Sequence, residues 1–318
     1  MSGDRNTGAP LTGRFSPLRY PGGKGKLARF VAEVIRINGL EDGLYVEPYA
    51  GGAAVAWELL LTGRVRQVHV NDLSRPIYAF WRCVLDQTEG LARLITDTPL
   101  DIETWARMKW IFAHPDGVDD LTLGYAMFYL NRTNRSGILN GGPIGGRAQS
   151  GTWNMDARYN RTELVRRVER IAQARRRITL TNMDAAELLS KYADKWKKRT
   201  LVYLDPPYFD KGPELYYNFY KHGDHAGVSY AVRSLCGVPW IVSYDDVLPI
   251  HTLYQGESWL QYQIGYSARG RTTGREAMFF SAGLHIPPVS GSMVEIARWE
   301  GAVENTPYQM PTIASELA

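Results

Sequence analysis

Apolar residues in this chain fall into short continuous runs, separated by stretches in which they recur at helical spacing. Such runs begin near residues 44, 201 and 240, and two further strand-like segments, in which apolar and polar residues alternate, begin near residues 67 and 178. A strand that is buried on both faces has this continuous pattern, whereas a strand with one wet face alternates. Such runs alternating with helical patterns predict an α/β fold with a mostly parallel sheet. Towards the end of the chain, Tyr262–Gly265 and Ala277–Phe280 can close the sheet as an antiparallel pair.

The alternation stops from Pro76 onwards. A glycine-rich stretch without helical period, residues 131–154, predicts a β-hairpin or a splayed loop. Before it, helical periodicity covers three segments: Ile77–Asp86, Thr104–Ala113 and Leu121–Asn131.

These patterns predict the domain organisation. Residues 14–75 and 173–300 form the predicted core, and residues 76–172 form an inserted, mostly helical lobe carrying a β-hairpin. Residues 1–13 and 301–318 show no apolar period, so we expect a disordered leader and a flexible tail.

The composition is that of an ordinary globular protein. Of the 318 residues, 44% are apolar and 22% are charged, and the net charge of +4 is too small to indicate a polyanionic partner by itself. No apolar stretch approaches the roughly 18 residues of a membrane span, and the amino terminus lacks the apolar segment of a signal peptide. Cys83 and Cys236 lie in apolar surroundings, which suits buried thiols in a reducing cytoplasm.

The run Leu201–Leu204 leads directly into Asp205, Pro206, Pro207 and Tyr208. The prolines cannot continue a central strand, so the chain must leave the sheet at Asp205. The carboxylate, the Pro206 carbonyl and the Tyr208 ring then project beyond the carboxyl end of the strand, where open α/β sheets bind ligands. Two hydrogen-bond acceptors and a flat ring can hold a planar amine. The alternative is a proline-stopped turn in which Asp205 caps the next structural element.

A second strand ends at Glu47 and is followed by a turn containing Ala50 and Gly51. A strand, a glycine turn and a helix amino terminus form a nucleotide-site arrangement, although the dinucleotide fingerprint G-x-G-x-x-G is absent. The next strand ends at Asp72, where βαβ folds bind ribose hydroxyls. Asp72 could also cap the helix that begins near Ser74.

Two further segments have composition suited to ligands. The turn Pro21–Lys24 places a cation where glycine backbone can approach a ligand closely, although a loop with a solvated lysine is the alternative and the P-loop spacing is absent. Residues 216–225 are aromatic and polar and are expected to form a loop that covers the site. His222 and His225 have no matched second pair, so no metal is predicted.

Arginine is concentrated in the second half of the lobe. Residues 132–177 contain 11 arginines, no lysine and three acids. This bias, interleaved with polar and aromatic residues, suits phosphate contacts and base-edge reading. A basic, glycine-punctuated loop at residues 267–275 also suits phosphates. A solvated helix face is an equal alternative for four of the arginines: Arg166, Arg167, Arg170 and Arg175.

The chain resembles the D12-class, Dam-like adenine-N6 DNA methyltransferases in a series of motifs that occur in the family's order. In chain order they are the turn ending at Lys24, the glycine turn after Glu47, Asp72, Asp184, the Asp-Pro-Pro-Tyr motif and Tyr244. The resemblance implies a Rossmann-like, S-adenosylmethionine-dependent methyltransferase sheet with an inserted target-recognition lobe. It also implies methyl transfer to N6 of an adenine that is flipped out of duplex DNA.

The resemblance, together with the arginine bias, assigns roles to residues. The catalytic residues are Asp205, Pro206 and Tyr208. The cofactor contacts are Tyr20, Lys24, Glu47, Ala50, Gly51, Asp72, Asp184 and Asp205. The DNA contacts are Arg132, Arg135, Leu139, Asn140, Arg147, Arg269 and Arg271.

In the implied mechanism, Asp205 and the Pro206 carbonyl accept hydrogen bonds from the adenine amino group, and Tyr208 stacks on the base. One departure concerns specificity. GATC-reading members carry an arginine where this chain has Leu139-Asn140-Gly141. Asn reads adenine and Arg favours guanine, so we do not expect GATC specificity to transfer.

Other functions remain open at this stage. On the same fold, the chain could methylate RNA or cytosine N4, or bind DNA as a catalytically silent regulator; an acid at Asp205 favours adenine. A dinucleotide oxidoreductase is disfavoured by the missing glycines. We expect a cytoplasmic, nucleoid-associated protein of bacterial or phage type, monomeric or weakly dimeric, with a cognate restriction endonuclease as an optional partner.

Overall fold

The computed structural model describes residues 15–19, 24–196, 199–210, 220, 222–266 and 272–301. The strands are β1 (Leu44–Glu47), β2 (Gln67–Asn71), β3 (Ile178–Thr181), β4 (Thr200–Leu204), β5 (Trp240–Asp245), β6 (Ser258–Tyr266), β7 (Thr272–Phe280) and β8 (Met293–Trp299). The helices are α1 (Ala28–Ile37), α2 (Ala54–Leu61), α3 (Arg75–Asp86), α4 (Thr88–Asp97), α5 (Ile102–Ala113), α6 (Asp120–Thr133), α7 (Arg161–Ala172), α8 (Ala185–Tyr192), α9 (His222–Arg233) and α10 (Leu248–Leu253).

The strands form one sheet in the order β3-β2-β1-β4-β5-β7-β6-β8. The first five in this order are parallel, and β7, β6 and β8 add an antiparallel end. The predicted mostly parallel sheet and the closing antiparallel pair are therefore confirmed. Strand order reverses between β1 and β4, so the carboxyl ends of these two strands frame the crevice in which open α/β sheets bind ligands.

Helices pack on both faces of the sheet. On one face, α8, α9 and α10 share a core with residues of β4 and β5. On the other face, α1 and α2 share one core with the helices α3 to α7. Trp57 of α2 and Trp81 of α3 lie at the junction with ring centroids 4.9 Å apart, and full burial of side chains of this size stabilises the fold by about 1.5–3 kcal/mol each. The inserted helices are thus fused to the sheet through a common core.

The helices α3 to α7 lie between β2 and β3, where the sequence predicts the lobe. The three predicted helices of the lobe are present and slightly longer than predicted. The helix α4 was not predicted. Arg166, Arg167 and Arg170 lie on α7, whereas Arg175 lies in a short 3-10 turn after it. Whether these arginines contact DNA stays a prediction. The boundaries of the lobe as a domain remain a prediction.

For the glycine-rich stretch of the lobe, the prediction of a β-hairpin is wrong, and the structure has a loop instead. Within the described residues, the segment after α6 makes a single antiparallel bridge, Asn134 to Pro143, and otherwise consists of turns. The side-chain amide of Asn134 donates to the carbonyls of Ile138 and Leu139 at 2.9 and 3.0 Å. These bonds, with Ser136 in the left-handed region at φ 56°, bend the chain back on itself, and a strand ladder cannot form.

Two smaller predictions also need correction. The residues from His222 onwards form helix α9 rather than a loop, and His225 is buried against Phe209, Tyr220 and Tyr244. Cys83 is buried as expected, but Cys236 is exposed. None of the helices in the described part of the chain is long and apolar enough to cross a membrane. The predicted leader, nearly all of the tail and residues 216–219 lie outside the described residues.

Candidate active site

Strand β4 delivers Asp205 to the crevice. All five residues of the strand are buried, and Pro206 and Pro207 follow at once, so the chain turns out of the sheet there. The side chain of Asp205 is 18% exposed. Further along the turn, the carboxylate of Asp245 at the end of β5 accepts hydrogen bonds from the backbone N–H groups of Phe209 and Asp210 at 2.8 and 2.9 Å. The turn after β4 is therefore held by the neighbouring strand.

Asp205 is half-buried between a hydroxyl and an ammonium group. The hydroxyl of Ser243 on β5 donates to Oδ1 at 2.9 Å, and Nζ of Lys24 lies 3.2 Å from the same oxygen. Burial raises the pKa of Asp205, Lys24 lowers it, and the nearby Glu276 raises it again. Both of these contacts fall on Oδ1.

Lys24 is the centre of a buried polar cluster. Besides Asp205, its Nζ contacts Oε2 of Glu276 at 2.9 Å and the hydroxyl of Tyr208 at 2.5 Å. Glu276 also accepts hydrogen bonds from the hydroxyls of Tyr208 and Tyr262. Burial lowers the pKa of Lys24, but the two carboxylates outweigh burial and hold its pKa well above the ordinary value. Lys24 is therefore a fixed cation rather than a solvated one.

Tyr208 is turned into this cluster. Its side chain is only 6% exposed, and Nζ of Lys24 lies 5.0 Å from the ring centroid. The role assigned by resemblance, stacking on a base, remains a prediction.

Glu47 lies at the end of β1 beneath the amino terminus of α2. Its Oε1 accepts a hydrogen bond from the hydroxyl of Tyr45 at 2.9 Å and another from the backbone N–H of Ala56 at 3.1 Å. Burial raises the pKa of Glu47 to about 8, against the effect of these two hydrogen bonds. Glu47 is therefore a buried acid whose carboxyl group is held by the hydroxyl of Tyr45 and the amino terminus of α2.

The turn after β1 is joined to Asp72 at the end of β2. Gly51 has φ 46°, and its N–H donates to Oδ2 of Asp72 at 2.8 Å. Oδ1 accepts from the N–H of Ser74 at 2.9 Å, and Ser74 rather than Asp72 is the residue that precedes α3. Burial raises the pKa of Asp72 to about 6, while these two N–H groups lower it. Asp72 is therefore not the helix cap, and its carboxylate instead joins the turn after β1 to the turn after β2.

Asn71 ties three strand ends together. Its Nδ2 donates to the carbonyls of Pro48 and Met183, both at 2.9 Å. Its Oδ1 accepts from Oγ1 of Thr181 at 2.8 Å and from the N–H of Met183 at 3.2 Å. The side chain is fully buried. The loops after β1 and β3 are thus fixed to the end of β2 by one amide.

Asp184 lies at the exit of β3 and caps α8. Its Oδ1 accepts from the N–H groups of Ala186 and Glu187 at 2.8 and 3.3 Å, and the side chain is exposed.

A pair of tyrosines lies after two of the other strands: the hydroxyls of Tyr49 and Tyr220 are 2.9 Å apart. The carboxyl ends of four adjacent strands therefore present acids: Glu47, Asp72, Asp184 and Asp205.

The turns after α6 carry the predicted DNA contacts. Arg135, Asn140 and Arg147 are exposed, and Leu139 is partly buried against the core. Trp153, which lies further along the same segment, is 71% exposed. An exposed aromatic ring among arginines is a composition that suits nucleic acid.

Arg132 is placed differently from the other predicted DNA contacts. Its guanidinium is half-buried and donates to the carbonyls of Pro17 and Arg158. Burial, with the neighbouring Arg19 and Arg167, lowers its pKa to about 9. Nearby, the side-chain amide of Asn131 contacts both the N–H and the carbonyl of Arg19 at 2.7 and 2.6 Å. Arg132 therefore ties the chain before the Lys24 turn to the lobe.

Three predicted site residues, Tyr20, Arg269 and Arg271, lie outside the described residues. In the part of the chain that the structure describes, no group of three or more His, Cys, Asp or Glu side chains is placed to hold a metal ion. The sequence did not single out Asn71, Ser243, Tyr262 or Glu276. For one of these residues the sequence did contain a signal: Glu276 is an acid directly before a strongly apolar run.

The model of the family D12 class N6 adenine-specific DNA methyltransferase matches residues 20–267. A search of curated proteins gave no match.

Solved structures show only distant similarity. A candidate RNA methyltransferase from Pyrococcus horikoshii is 9% identical, with a TM-score of 0.39 over 88% of this chain and 90% of that one. An S-adenosylmethionine-dependent methyltransferase from Neisseria gonorrhoeae is 13% identical, with a TM-score of 0.33 over 89% and 78%. An rRNA methyltransferase from Streptomyces viridochromogenes is 12% identical, with a TM-score of 0.32 over 88% and 87%. These TM-scores are low, and we draw no conclusion from them.

Proposed function

Because the chain belongs to the D12 class of N6 adenine-specific DNA methyltransferases, we propose that the acids at the carboxyl ends of β1 to β4 carry the family's reaction in this chain. The reaction is transfer of a methyl group from S-adenosylmethionine to N6 of adenine in DNA. The observation that carries the proposal is the position of Asp205: it lies at the strand-order reversal, held on one oxygen by Ser243 and Lys24.

S-adenosylmethionine, when bound, supplies an electrophilic methyl group on a cationic sulfonium. The donor set fits this molecule, since carboxylates line the crevice edge and a positive-φ glycine lets the backbone approach a ligand. We assign Asp72 to the ribose hydroxyls and Asp184 to the adenine ring, with Lys24, Glu47 and the Ala50–Gly51 turn completing the contacts. The exposed Leu73 beside Asp72 offers an apolar surface for the same ring.

The target adenine must be flipped out of the duplex before its amino group can reach Asp205, at a cost of a few kcal/mol. N6 is a weak nucleophile because its lone pair is delocalised into the ring. Hydrogen bonds from the amino group to Oδ2 of Asp205 and to the Pro206 carbonyl favour the pyramidal, nucleophilic form. The same carboxylate stabilises the positive charge that develops on nitrogen, in a site where water is partly excluded.

The turns after α6 are the proposed DNA surface. Arg135 and Arg147 suit phosphate oxygens, and Asn140 suits the edge of an adenine. Trp153 suits stacking on an exposed base. Arg132, assigned to DNA from the sequence, is proposed instead as a support of this surface, because its guanidinium is engaged by backbone carbonyls.

The test is Asp205→Ala, with Asp210→Ala as a matched control in the same turn. Asp210 is exposed, and its contact with Asp245 is made by its backbone N–H. Removing a group that stabilises transition-state charge costs about 10²–10³-fold in turnover. We expect Asp205→Ala to lose transfer of labelled methyl groups to duplex DNA by at least this factor and to keep its DNA affinity, while Asp210→Ala stays near wild type. Wild-type turnover by Asp205→Ala would refute the assignment, and DNA binding without transfer by the wild type would indicate a silent regulator.

A further inference from the structure

Glu276 is a buried acid next to a fully buried, apolar stretch of its strand. It lies on β7, opposite Asp245 of β5 and Tyr262 of β6, and its side chain is 1% exposed. The next residues in the strand are Ala277 to Phe280, all fully buried. A carboxylate in such a place costs free energy unless it is paired and hydrogen-bonded.

Two of the partners of Glu276, Lys24 and Tyr208, are motif residues of the candidate active site. Oε2 lies 2.9 Å from Nζ of Lys24, Oε1 accepts from the hydroxyl of Tyr208, and Tyr262 donates to Oε2. Lys24 comes from the turn before α1, and Tyr208 comes from the turn after β4. One carboxylate therefore connects two segments that are far apart in sequence and meet beside Asp205.

The charges of Lys24 and Glu276 affect how freely the Asp205 carboxylate can accept a hydrogen bond from the target amino group. Lys24 lies 3.2 Å from Asp205 and 2.9 Å from Glu276, so its single positive charge is shared between two acids. If Lys24 had Asp205 alone, its ammonium donors could turn fully onto that carboxylate and compete with the amino group of adenine. Glu276 draws the ammonium towards β7 and leaves Asp205 with net negative charge.

We propose that Glu276 is a positioning residue for methyl transfer, which holds the ammonium of Lys24 and the hydroxyl of Tyr208 so that Asp205 stays available to the target amino group. This role rests on the proposed function of Asp205. Glu276 itself acts through Lys24 and Tyr208.

The first test is Glu276→Gln, which keeps the shape and removes the charge. Loss of a partner that orients a ligating group typically lowers activity by about 10–100-fold. We expect kcat to fall by a factor in this range, with KM for DNA nearly unchanged. Circular dichroism and thermal unfolding check that the variant is folded. Asp205→Ala serves as the inactive reference.

The pH profile separates a positioning role from a purely structural one. In the described part of the chain, the ionisable side chains that interact with Asp205 include Lys24, Glu276, Glu47, Tyr45 and Tyr203. Tyr208 and Tyr262 are hydrogen-bonded to Glu276 in the same cluster. The negative charge of Glu276 raises the pKa of Asp205. Removing that charge lowers the pKa, so the acidic limb of the kcat/KM profile should move to lower pH in Glu276→Gln.

Two further variants keep the proposal falsifiable if Glu276→Gln is unstable. Glu276→Asp keeps the charge and shortens the reach, so it should lose kcat and keep the wild-type acidic limb. Tyr262→Phe removes one hydrogen bond to Glu276 without a charge change and should leave the limb in place. Wild-type kcat and an unmoved limb in Glu276→Gln, beside an inactive Asp205→Ala, would overturn the role of Glu276 alone. An active Asp205→Ala would instead overturn the proposed function.

Discussion

Asn71 offers a sharp test of how the crevice edge is built. Replacing it with alanine removes four side-chain hydrogen bonds, to Pro48, Thr181 and twice to Met183. Each such bond contributes about 0.5–1.5 kcal/mol net, and buried partners that are left unsatisfied push the cost towards the upper value. We therefore expect Asn71→Ala to lose about 2–6 kcal/mol of unfolding free energy, measured by urea titration.

The same variant should also bind S-adenosylmethionine less well. The loops that Asn71 holds carry Ala50, Gly51 and Asp184, three of the proposed cofactor contacts. If binding must reorder these loops at a cost of about 1.4 kcal/mol, affinity falls about tenfold, which titration calorimetry can measure.

Asn182→Ala is the matched control. Asn182 also spans the ends of β2 and β3, and its Nδ2 donates to the carbonyls of Asp72 and Leu73 at 2.7 and 3.0 Å, but it is exposed. Water can replace its bonds, so we expect a loss of roughly 0.5 kcal/mol. If Asn71→Ala loses no more stability and no more cofactor affinity than Asn182→Ala, the reasoning about the buried amide is refuted.

Three other predictions concern the cofactor and the DNA surface. The pKa of Asp72 is raised to about 6 by burial, and a ribose hydroxyl favours the ionised form. Cofactor affinity should therefore fall about tenfold per pH unit below that pKa, and an affinity that stays flat between about pH 5 and about pH 7 would contradict this prediction. Arg147→Ala should reduce the salt slope of DNA binding by about 0.9, as expected for one lost phosphate contact. Arg132→Ala should lower thermal stability instead and leave that slope unchanged, and the opposite pattern would restore Arg132 as a direct contact.

The sequence was sufficient for the parallel part of the sheet. Strands buried on both faces leave apolar runs, so β1, β2, β4 and β5 could be located, and Asp205 and Asp72 could be identified as the residues at the carboxyl ends of two of them. The edge strand β3 is only half-buried, and its β-branched residues located it. The other edge strand, β8, was missed because only its ends, Met293 and Trp299, are buried while its apolar Val294 and Ile296 are exposed.

The parts that could not be predicted depend on contacts between distant segments. Glu276 meets Lys24 across 252 positions of sequence, and nothing local marks that pairing. The segment after α6 folds into turns in which the side-chain amide of Asn134 donates to two carbonyls, whereas its glycines suggested a hairpin. The inward position of Tyr208 is likewise set by Glu276 and Lys24, so its burial could not be anticipated from the Asp-Pro-Pro-Tyr motif.

The most direct test of adenine methylation through Asp205 is to express the wild type and Asp205→Ala in a host that lacks adenine methylation, and to map modified bases by single-molecule sequencing. We expect N6-methyladenine confined to one short motif with the wild type and none with Asp205→Ala. A genome without new N6-methyladenine in cells that contain folded wild-type protein, or equal methylation by the variant, would contradict this expectation.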